Sequence, residues 1–319
     1  MGEDGPRWPA RVRVCEVGPR DGLQNERVPI ATEDKVRYID MLSAAGLPYI
    51  EVTSFVSPRW VPQLADHSEV LQRIRRRPGT RYAVLVPNDK GLERALAAGA
   101  DAIAVFTGAT ETFTRKNINQ SVQQSLERFA RIVERARAEG CWVRGYLSCV
   151  FGCPYEGEVA PERVVELCRE LDRIGCHEIA LGDTIGRAGP IETRDVVRRV
   201  KSVVGLDRLA LHLHDTTGLA LTNVLVALQE GVRIFDAASG GLGGCPYAPG
   251  ASGNLATEDL LYLLDRLGIA HGVDRQQVAR ASHFIERRIG RPLPGRVLAS
   301  ERARLVCPVA EQPRQQRAS

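Results

Sequence analysis

The sequence predicts an α/β fold, a (β/α)8 TIM barrel of parallel strands and outer helices with extra helices at its C-terminal end. Strand-like and helix-like segments alternate eight times over about 250 residues, which is what a closed parallel barrel requires. No glycine-rich dinucleotide turn follows the first strand. That absence disfavours the alternative, a doubly wound open sheet.

The predicted strands are short runs rich in apolar and β-branched residues. They lie at 11–17, 49–55, 82–86, 102–106, 142–150, 178–181, 209–214 and 233–237. The predicted helices between them show amphipathic spacing, and several end at a glycine. They lie at 32–45, 63–76, 90–98, 121–139, 161–174, 191–204 and 219–229, and two more follow at 257–267 and 274–289.

Composition and charge limit the class of protein. Of 319 residues, 44% are hydrophobic and 26% are charged, which is typical of a globular domain. The net charge of +4 is too balanced to indicate nucleic-acid binding, but it is compatible with an anionic substrate. Residues 1–9 lack an apolar signal core, and no apolar run could span a bilayer. We therefore expect a cytoplasmic protein that binds neither nucleic acid nor a membrane.

The chain is expected to have three parts: an N-terminal extension over 1–10, the barrel with its C-terminal helices over 11–290, and a polar tail over 291–319. Its 8 cysteines lack the paired spacing of a zinc site, and we expect reduced thiols.

Two histidines close the seventh strand. His212 and His214 are two residues apart, so their side chains share one face of the strand, and Leu211 and Leu213 share the other. Two imidazoles on one face can bind one cation. The alternative is a polar strand end whose histidines only bond their neighbours, and the strand alone does not decide between the two.

Other polar residues occur at the same end of the predicted barrel. Because active sites of such barrels lie at the C-terminal ends of the strands, we expect these side chains to meet the two histidines at one mouth. Arg20 and Asp21 follow the first strand, Glu51 lies in the second, Asp183 ends the sixth, and Cys245 and Asn254 lie in the loop after the eighth.

Several motifs resemble those of the 3-hydroxy-3-methylglutaryl-CoA lyases. They lie at 14–26, which includes the Arg20-Asp21 pair, and at 53–58, 152–157 and 181–186. The most specific is the glycine-rich stretch 241–254, which contains Cys245. The resemblance covers about residues 12–272. These lyases belong to a wider set of metal-dependent barrel lyases and acyl-transferring synthases that share the Arg-Asp pair and the His-x-His.

The resemblance implies a ligand set and several roles. Asp21, His212, His214 and Asn254 would hold the metal, Arg20 would contact substrate, and Cys245 would be the catalytic thiol. Imidazole, carboxylate and amide ligands without a thiolate suit Mg²⁺ or Mn²⁺.

Three assignments stay open at this stage. The proton acceptor is Asp21 or His212. Glu51 is an ion-pair partner for a site arginine or an acid–base catalyst. Asp183 is a catalytic group, or it caps a helix or orients Arg20.

The resemblance also implies the reaction, a retro-Claisen cleavage of 3-hydroxy-3-methylglutaryl-CoA (HMG-CoA) to acetyl-CoA and acetoacetate, within leucine degradation and ketone-body formation. The expected partners are an acyl-CoA substrate and a second copy of the chain, as a homodimer. Ala180, Leu213 and Thr217 depart from the family pattern, so a longer 3-hydroxy-3-alkylglutaryl-CoA is an alternative substrate.

A second alternative is a condensing acyl-CoA synthase of the isopropylmalate or homocitrate type. Those synthases usually add a long regulatory region, whereas about 30 residues follow position 289 here. A metal-binding protein without catalysis is the third reading, and the filled set of site residues disfavours it.

Overall fold

The structure, a computed structural model, confirms the parallel barrel. It describes residues 8–244 and 253–306. Each strand is parallel to both neighbours, and the first pairs with the eighth to close the barrel. The strands are β1 (Arg13–Glu16), β2 (Tyr49–Ser54), β3 (Arg81–Leu85), β4 (Ala102–Gly108), β5 (Trp142–Ser148), β6 (Glu178–Asp183), β7 (Leu209–Leu213) and β8 (Ile234–Ala237).

Helices cover the outside of the barrel, and the larger hydrophobic core lies between them and the outer faces of the strands. Within the described residues they are α1 (Thr32–Ala44), α2 (His67–Arg73), α3 (Asp89–Ala97), α4 (Glu111–Ile118), α5 (Val122–Ala138), α6 (Pro161–Arg173), α7 (Pro190–Val200), α8 (Ala220–Gln229), α9 (Thr257–Leu267), α10 (Arg275–Ile289) and α11 (Arg296–Val306). None of these helices has the length and apolarity needed to cross a membrane.

Two helices were not predicted. Helix α4 buries little apolar surface, with Phe113 its one buried hydrophobic residue, so no helical repeat of apolar positions marks it. Helix α11 lies inside the segment 291–319 that the sequence analysis treated as a polar tail. The chain there buries Leu293 and Leu298. The division of the chain into three parts stays a prediction, but its last part is not simply a tail.

A contact distant in sequence explains the start of α11. The buried carboxylate of Asp259 accepts the backbone N–H groups of Arg296 at 3.0 Å and Val297 at 2.7 Å. Both groups lie in the first turn of the helix, where backbone N–H groups have no partner inside the helix. Because this cap comes from α9, the sequence just before residue 296 contains no capping side chain that would predict the helix.

One predicted helix is shorter in the structure. The prediction for 63–76 covers a 3₁₀ turn, Pro62–Leu64, and then α2. Gln63 explains why the 3₁₀ turn is separate from α2. Its side chain donates to the carbonyl groups of Glu26 and Val28 and accepts the N–H of Ile30. These contacts hold the 3₁₀ turn against the loop that follows β1.

The inside of the barrel is a second, smaller cluster of buried residues. Five alanines contribute to it, and small side chains leave volume for larger ones on facing strands. The largest fully buried side chain is that of Arg144, which projects from β5 among them. Its guanidinium pairs with Glu178 at 3.1 Å and with Asp236 at 2.6 Å. A charged residue therefore fills the centre of the barrel, and it requires acidic partners on other strands.

Candidate active site

The first site residues lie on a tight turn that follows β1. The chain forms a single π-helical turn, Gly18–Gly22, in which the N–H groups of residues 20–22 all point at the carbonyl oxygen of Val17, at 2.8–3.2 Å. Gly18 packs against the buried Glu16, where an added Cβ would lie 2.5 Å from a carboxylate oxygen. The turn thus needs glycine at its start, and it carries Arg20 and Asp21 to the mouth of the barrel.

Arg20 is buried and held by two carboxylates. Its Nε and Nη2 donate to the two oxygens of Glu51 at 3.0 and 3.1 Å, and its Nη1 donates to Asp21 Oδ1 at 2.6 Å. Glu51 also accepts the hydroxyl of Tyr146 at 2.8 Å. Paired carboxylates keep the guanidinium protonated and fix its plane. In this structure Glu51 is the ion-pair partner of the site arginine.

Asp21, His212 and His214 meet at the mouth. One ligand atom from each lies within 4.8 Å of the others. Asp21 Oδ2 is 3.9 Å from the Nε2 atoms of both histidines, too far for a hydrogen bond. The prediction that the two imidazoles share one face of β7 is confirmed, because their rings lie side by side with centroids 5.2 Å apart.

The ionisation of these groups suits a cation. Burial opposes the charge on Asp21, but Arg20 and the two histidines hold the pKa of its carboxyl group well below its usual range. Burial and the adjacent His212 lower the pKa of His214 to about 4. The site therefore offers a carboxylate and a neutral imidazole.

His212 has a further partner that the sequence analysis did not identify. Asp236, in β8, faces its Nδ1 at 3.1 Å and is almost wholly buried. Burial would lower the pKa of His212, but the bond to Asp236 and the nearby Asp21 raise it instead. Asp236 in turn accepts a hydrogen bond from Arg144 at 2.6 Å.

These contacts form a circuit, open at one link, that we call the charge ring. Arg144 donates to Tyr146 at 3.1 Å, and Tyr146 donates to Glu51, which connects the two sides of the barrel. Hydrogen bonds join every neighbouring pair except Asp21 and His212. The ring comprises Arg20, Asp21, His212, Asp236, Arg144, Tyr146 and Glu51.

The open link in the ring fits a divalent cation. It is bounded by the carboxylate of Asp21 and the Nε2 atoms of His212 and His214. Hard oxygen and imidazole nitrogen donors without a thiolate suit Mg²⁺ or Mn²⁺. With His212 neutral, the seven ring residues carry two positive and three negative groups, which leaves an excess negative charge.

The fourth expected ligand, Asn254, reaches the same place but presents its nitrogen. Residues 253–255 pair with the end of β7, which sets Asn254 beside His214. Its Nδ2 donates to Asp21 Oδ2 at 2.8 Å and to the carbonyl of Leu242 at 3.2 Å. To bind a cation through oxygen, the amide group would have to turn over and give up both hydrogen bonds.

Two other residues were expected in the site, Asp183 and Cys245. Asp183 is buried at the end of β6, and its carboxylate accepts the backbone N–H groups of Arg187 at 3.1 Å and Ala188 at 3.0 Å. Burial raises the pKa of Asp183 to about 6. These contacts order the loop before α7, and no hydrogen bond or ion pair joins Asp183 to Arg20 among the described residues. Cys245 lies outside the described residues.

Sequence reasoning missed Asp236, Arg144 and Tyr146, although the chain gives some signal for each. Arg144 and Tyr146 alternate with Val143 and Gly145 in β5, the pattern that places both on the inner face. Asp236 is the one charged residue in the short β8 run. The interior of a barrel is normally filled by apolar side chains, so inward-facing charges in a predicted barrel are themselves a site signal.

The chain is similar to proteins of known family. The family model described as HMGL-like matches residues 11–285. Mitochondrial hydroxymethylglutaryl-CoA lyase of Bos taurus is 55% identical over 278 residues, 87% of this chain and 86% of that protein.

Solved structures agree with this. A hydroxymethylglutaryl-CoA lyase from Pseudomonas aeruginosa is 52% identical with a TM-score of 0.91, over 93% of this chain and 99% of that one. An HMG-CoA lyase from Acinetobacter baumannii, in complex with coenzyme A and 3-methylmalate, is 37% identical with a TM-score of 0.87, over 97% and 98% of the two chains.

The orientation of Asn254 leads to a test of its role. If its oxygen binds the cation, Asn254→Asp should keep Mn²⁺ affinity within a few-fold of the wild type, and Asn254→Ala should lower it roughly 10- to 100-fold, as for other groups that support a metal. Titration of metal-stripped protein with Mn²⁺ measures this. Gln24→Ala is the matched control, because it removes the other amide donor to Asp21, which bonds Oδ1 at 3.0 Å. Equal loss in both Asn254 variants would show that the amide acts only as a donor to Asp21.

Proposed function

The chain belongs to the hydroxymethylglutaryl-CoA lyase family, a family of carbon–carbon lyases, and we propose that it cleaves HMG-CoA to acetyl-CoA and acetoacetate at the mouth of its barrel. The observation that carries this proposal is the ion pair of the buried Arg20 with Asp21, which faces His212 and His214. The reaction breaks the bond between the tertiary alcohol carbon and the carbon beside the thioester. It therefore needs a group that takes the hydroxyl proton, a cation near the enolate oxygen and a proton donor for the enolate carbon.

Asp21, His212, His214 and Asn254 are the residues proposed to hold a divalent cation, Mg²⁺ or Mn²⁺. When bound, such a cation lowers the pKa of the substrate alcohol and orients the neighbouring carboxylate. Two hydrogen bonds hold the carboxylate of Asp21 in place, because Arg20 and Asn254 both donate to it.

Arg20 is proposed to stabilise the enolate oxygen. A guanidinium has five N–H donors, and Glu51 and Asp21 occupy three of those of Arg20. Two donors remain in a plane that the bidentate pair with Glu51 holds fixed. Glu51 and Tyr146 thus act on the reaction by orienting Arg20, and neither needs to exchange a proton with substrate.

Two proton transfers complete the cleavage. Asp21 or His212 accepts the proton of the alcohol, the carbon–carbon bond breaks, and its electrons form the thioester enolate. The thiol of Cys245 then protonates the enolate carbon to give acetyl-CoA, and acetoacetate remains. Asp183 is proposed to position the loop before α7 and to take no part in these transfers.

The alternative of a longer acyl chain rests on one of the three departures from the family pattern. Ala180 lies inside the barrel, in the cluster that contains Tyr146. Leu213 belongs to the outer core instead, and the Thr217 hydroxyl donates to the carbonyl of Gly186. Only Ala180 faces the interior, where its small side chain could admit a larger 3-alkyl group.

The remaining expectations stay proposals. We propose that the chain acts as a homodimer in the cytoplasm and serves leucine degradation and ketone-body formation, although the bovine relative is named a mitochondrial enzyme. The condensing synthase is not favoured, because the relatives that are more than half identical to the chain are named as lyases.

A direct assay tests the function. Purified protein with Mg²⁺ or Mn²⁺ should release acetyl-CoA from HMG-CoA, and a chelator should abolish the release until metal is restored. A 3-ethyl analogue assayed beside it decides between the two substrates through the ratio of kcat/KM. Full activity in protein shown by elemental analysis to be metal-free would contradict the mechanism, and a higher kcat/KM for the analogue would replace the proposed substrate.

Arg20→Gln should lower kcat by about 10²-fold or more, the usual loss on removing one donor from a developing oxyanion. Metal affinity should barely change, since Asp21 and the histidines remain. Steady-state kinetics and a Mn²⁺ titration on one preparation give both values. A normal kcat with a raised KM would mean that Arg20 binds only the ground state.

Cys245→Ser should fold, bind metal and lose roughly 10²–10⁴-fold in turnover, because a hydroxyl is a much weaker acid than a thiol. Cys149→Ser, in the buried core, is a matched control for the loss of a thiol. Turnover of the Cys245 variant within a few-fold of the wild type would remove Cys245 from the mechanism.

A further inference from the structure

Asp236 occupies a position that determines which nitrogen of His212 carries a proton. Each of its two oxygens has one partner: Oδ2 faces His212 Nδ1 at 3.1 Å, and Oδ1 accepts from Arg144 at 2.6 Å. The carboxylate is 1% exposed, so water does not compete for it. The guanidinium of Arg144, 2.6 Å from Oδ1, pairs with the ionised form of this carboxyl group.

An ionised carboxylate only accepts hydrogen bonds, and a guanidinium only donates them. With Arg144 on Oδ1, the remaining oxygen requires a donor, and the group it faces is His212 Nδ1. The proton of a neutral His212 must therefore sit on Nδ1. This leaves the lone pair of Nε2 directed at Asp21 and the open link of the charge ring.

The second histidine provides an internal contrast. His214 is equally buried, but its Nδ1 has no hydrogen-bond partner among the described residues. No group in the part of the chain that the structure describes selects its tautomer, so binding a cation through Nε2 must itself select the Nδ1–H form. The tautomer of His212 is thus fixed before a metal binds, whereas the tautomer of His214 is not.

We propose that Asp236, held by Arg144, is a positioning residue that fixes His212 as the Nδ1–H tautomer and thereby sets the affinity of the site for its divalent cation. The inference rests on the proposed metal-dependent function, but its test reads metal binding without turnover. An outer partner of this kind typically contributes 10- to 100-fold to metal affinity.

The decisive variant is Asp236→Asn. Because Arg144 offers only donors, the amide oxygen should turn to Arg144, and the amide NH₂ should face His212 Nδ1. The ring must then accept at Nδ1 and carry its proton on Nε2, where the cation binds. We expect the variant to bind Mn²⁺ at least about 10-fold more weakly than the wild type, measured by calorimetry on metal-stripped protein.

Glu178→Gln is the matched control. Glu178 is the other buried carboxylate paired with Arg144, at 3.1 Å, and of these two carboxylates Asp236 is the one that bonds His212. The control should bind Mn²⁺ within about three-fold of the wild type, since it leaves the bond between His212 and Asp236 in place. Thermal melting of all three proteins ensures that folded samples are compared.

A second measurement keeps the proposal open to refutation if Asp236→Asn does not fold. Nitrogen-15 NMR of histidine-labelled, metal-free wild-type protein distinguishes protonated from bare ring nitrogens. At a pH high enough for the ring of His212 to be neutral, the proposal predicts protonated Nδ1 and bare Nε2 for this residue. The reverse assignment, or wild-type Mn²⁺ affinity in folded Asp236→Asn, would overturn it. If instead both results are as expected but HMG-CoA is not cleaved, the proposed function fails and the role of Asp236 stands.

Discussion

The buried guanidinium of Arg144 is the group on which the arrangement of the site depends. It lies at the centre of the barrel, where an unpaired charge would cost several kcal/mol. Asp236 and Glu178 offset that cost, and the rings of Tyr49 and Tyr146 lie 5.1 and 4.8 Å from it. Because Arg144 contacts both Asp236 and Tyr146, it orients one side of the mouth through His212 and the other through Glu51 and Arg20.

The two sides meet at Asp21, and the ring is open there. Every member except Asp21 and His212, which flank the open link, has a bonded neighbour on each side, so these bonds set the positions of the proposed catalytic groups. Preorganised charges of this kind need little rearrangement during the reaction. Electrostatic stabilisation of the transition state is therefore larger than it would be if the charged groups first had to reorient. In the proposed mechanism three acids orient other groups: Glu51 bonds Arg20, Asp183 bonds the loop before α7, and Asp236 bonds His212.

Much of this could be predicted from the chain. Eight alternations predicted the barrel, and the spacing of His212 and His214 predicted that they would share one face of a strand. The position of Asp21 after the first strand predicted that it would meet them at the same mouth. What escaped prediction depends on contacts between distant residues. The carboxylate of Asp236 is held by Arg144, which lies 92 positions earlier in the chain. Helix α11 begins where Asp259 accepts its first backbone N–H groups. The orientation of the Asn254 amide depends on Leu242 and Asp21 together, which no local pattern encodes.

The central claim is that Asp21, His212 and His214 form one cation site whose geometry the charge ring sets. Anomalous diffraction at the manganese edge, from a crystal of this protein soaked in Mn²⁺, tests it most directly. The account predicts a single strong peak about 2.1 Å from an Asp21 oxygen and from the Nε2 atoms of both histidines, with His212 Nδ1 still bonded to Asp236. A peak that avoids Asp21, or that binds His212 through Nδ1, would contradict it.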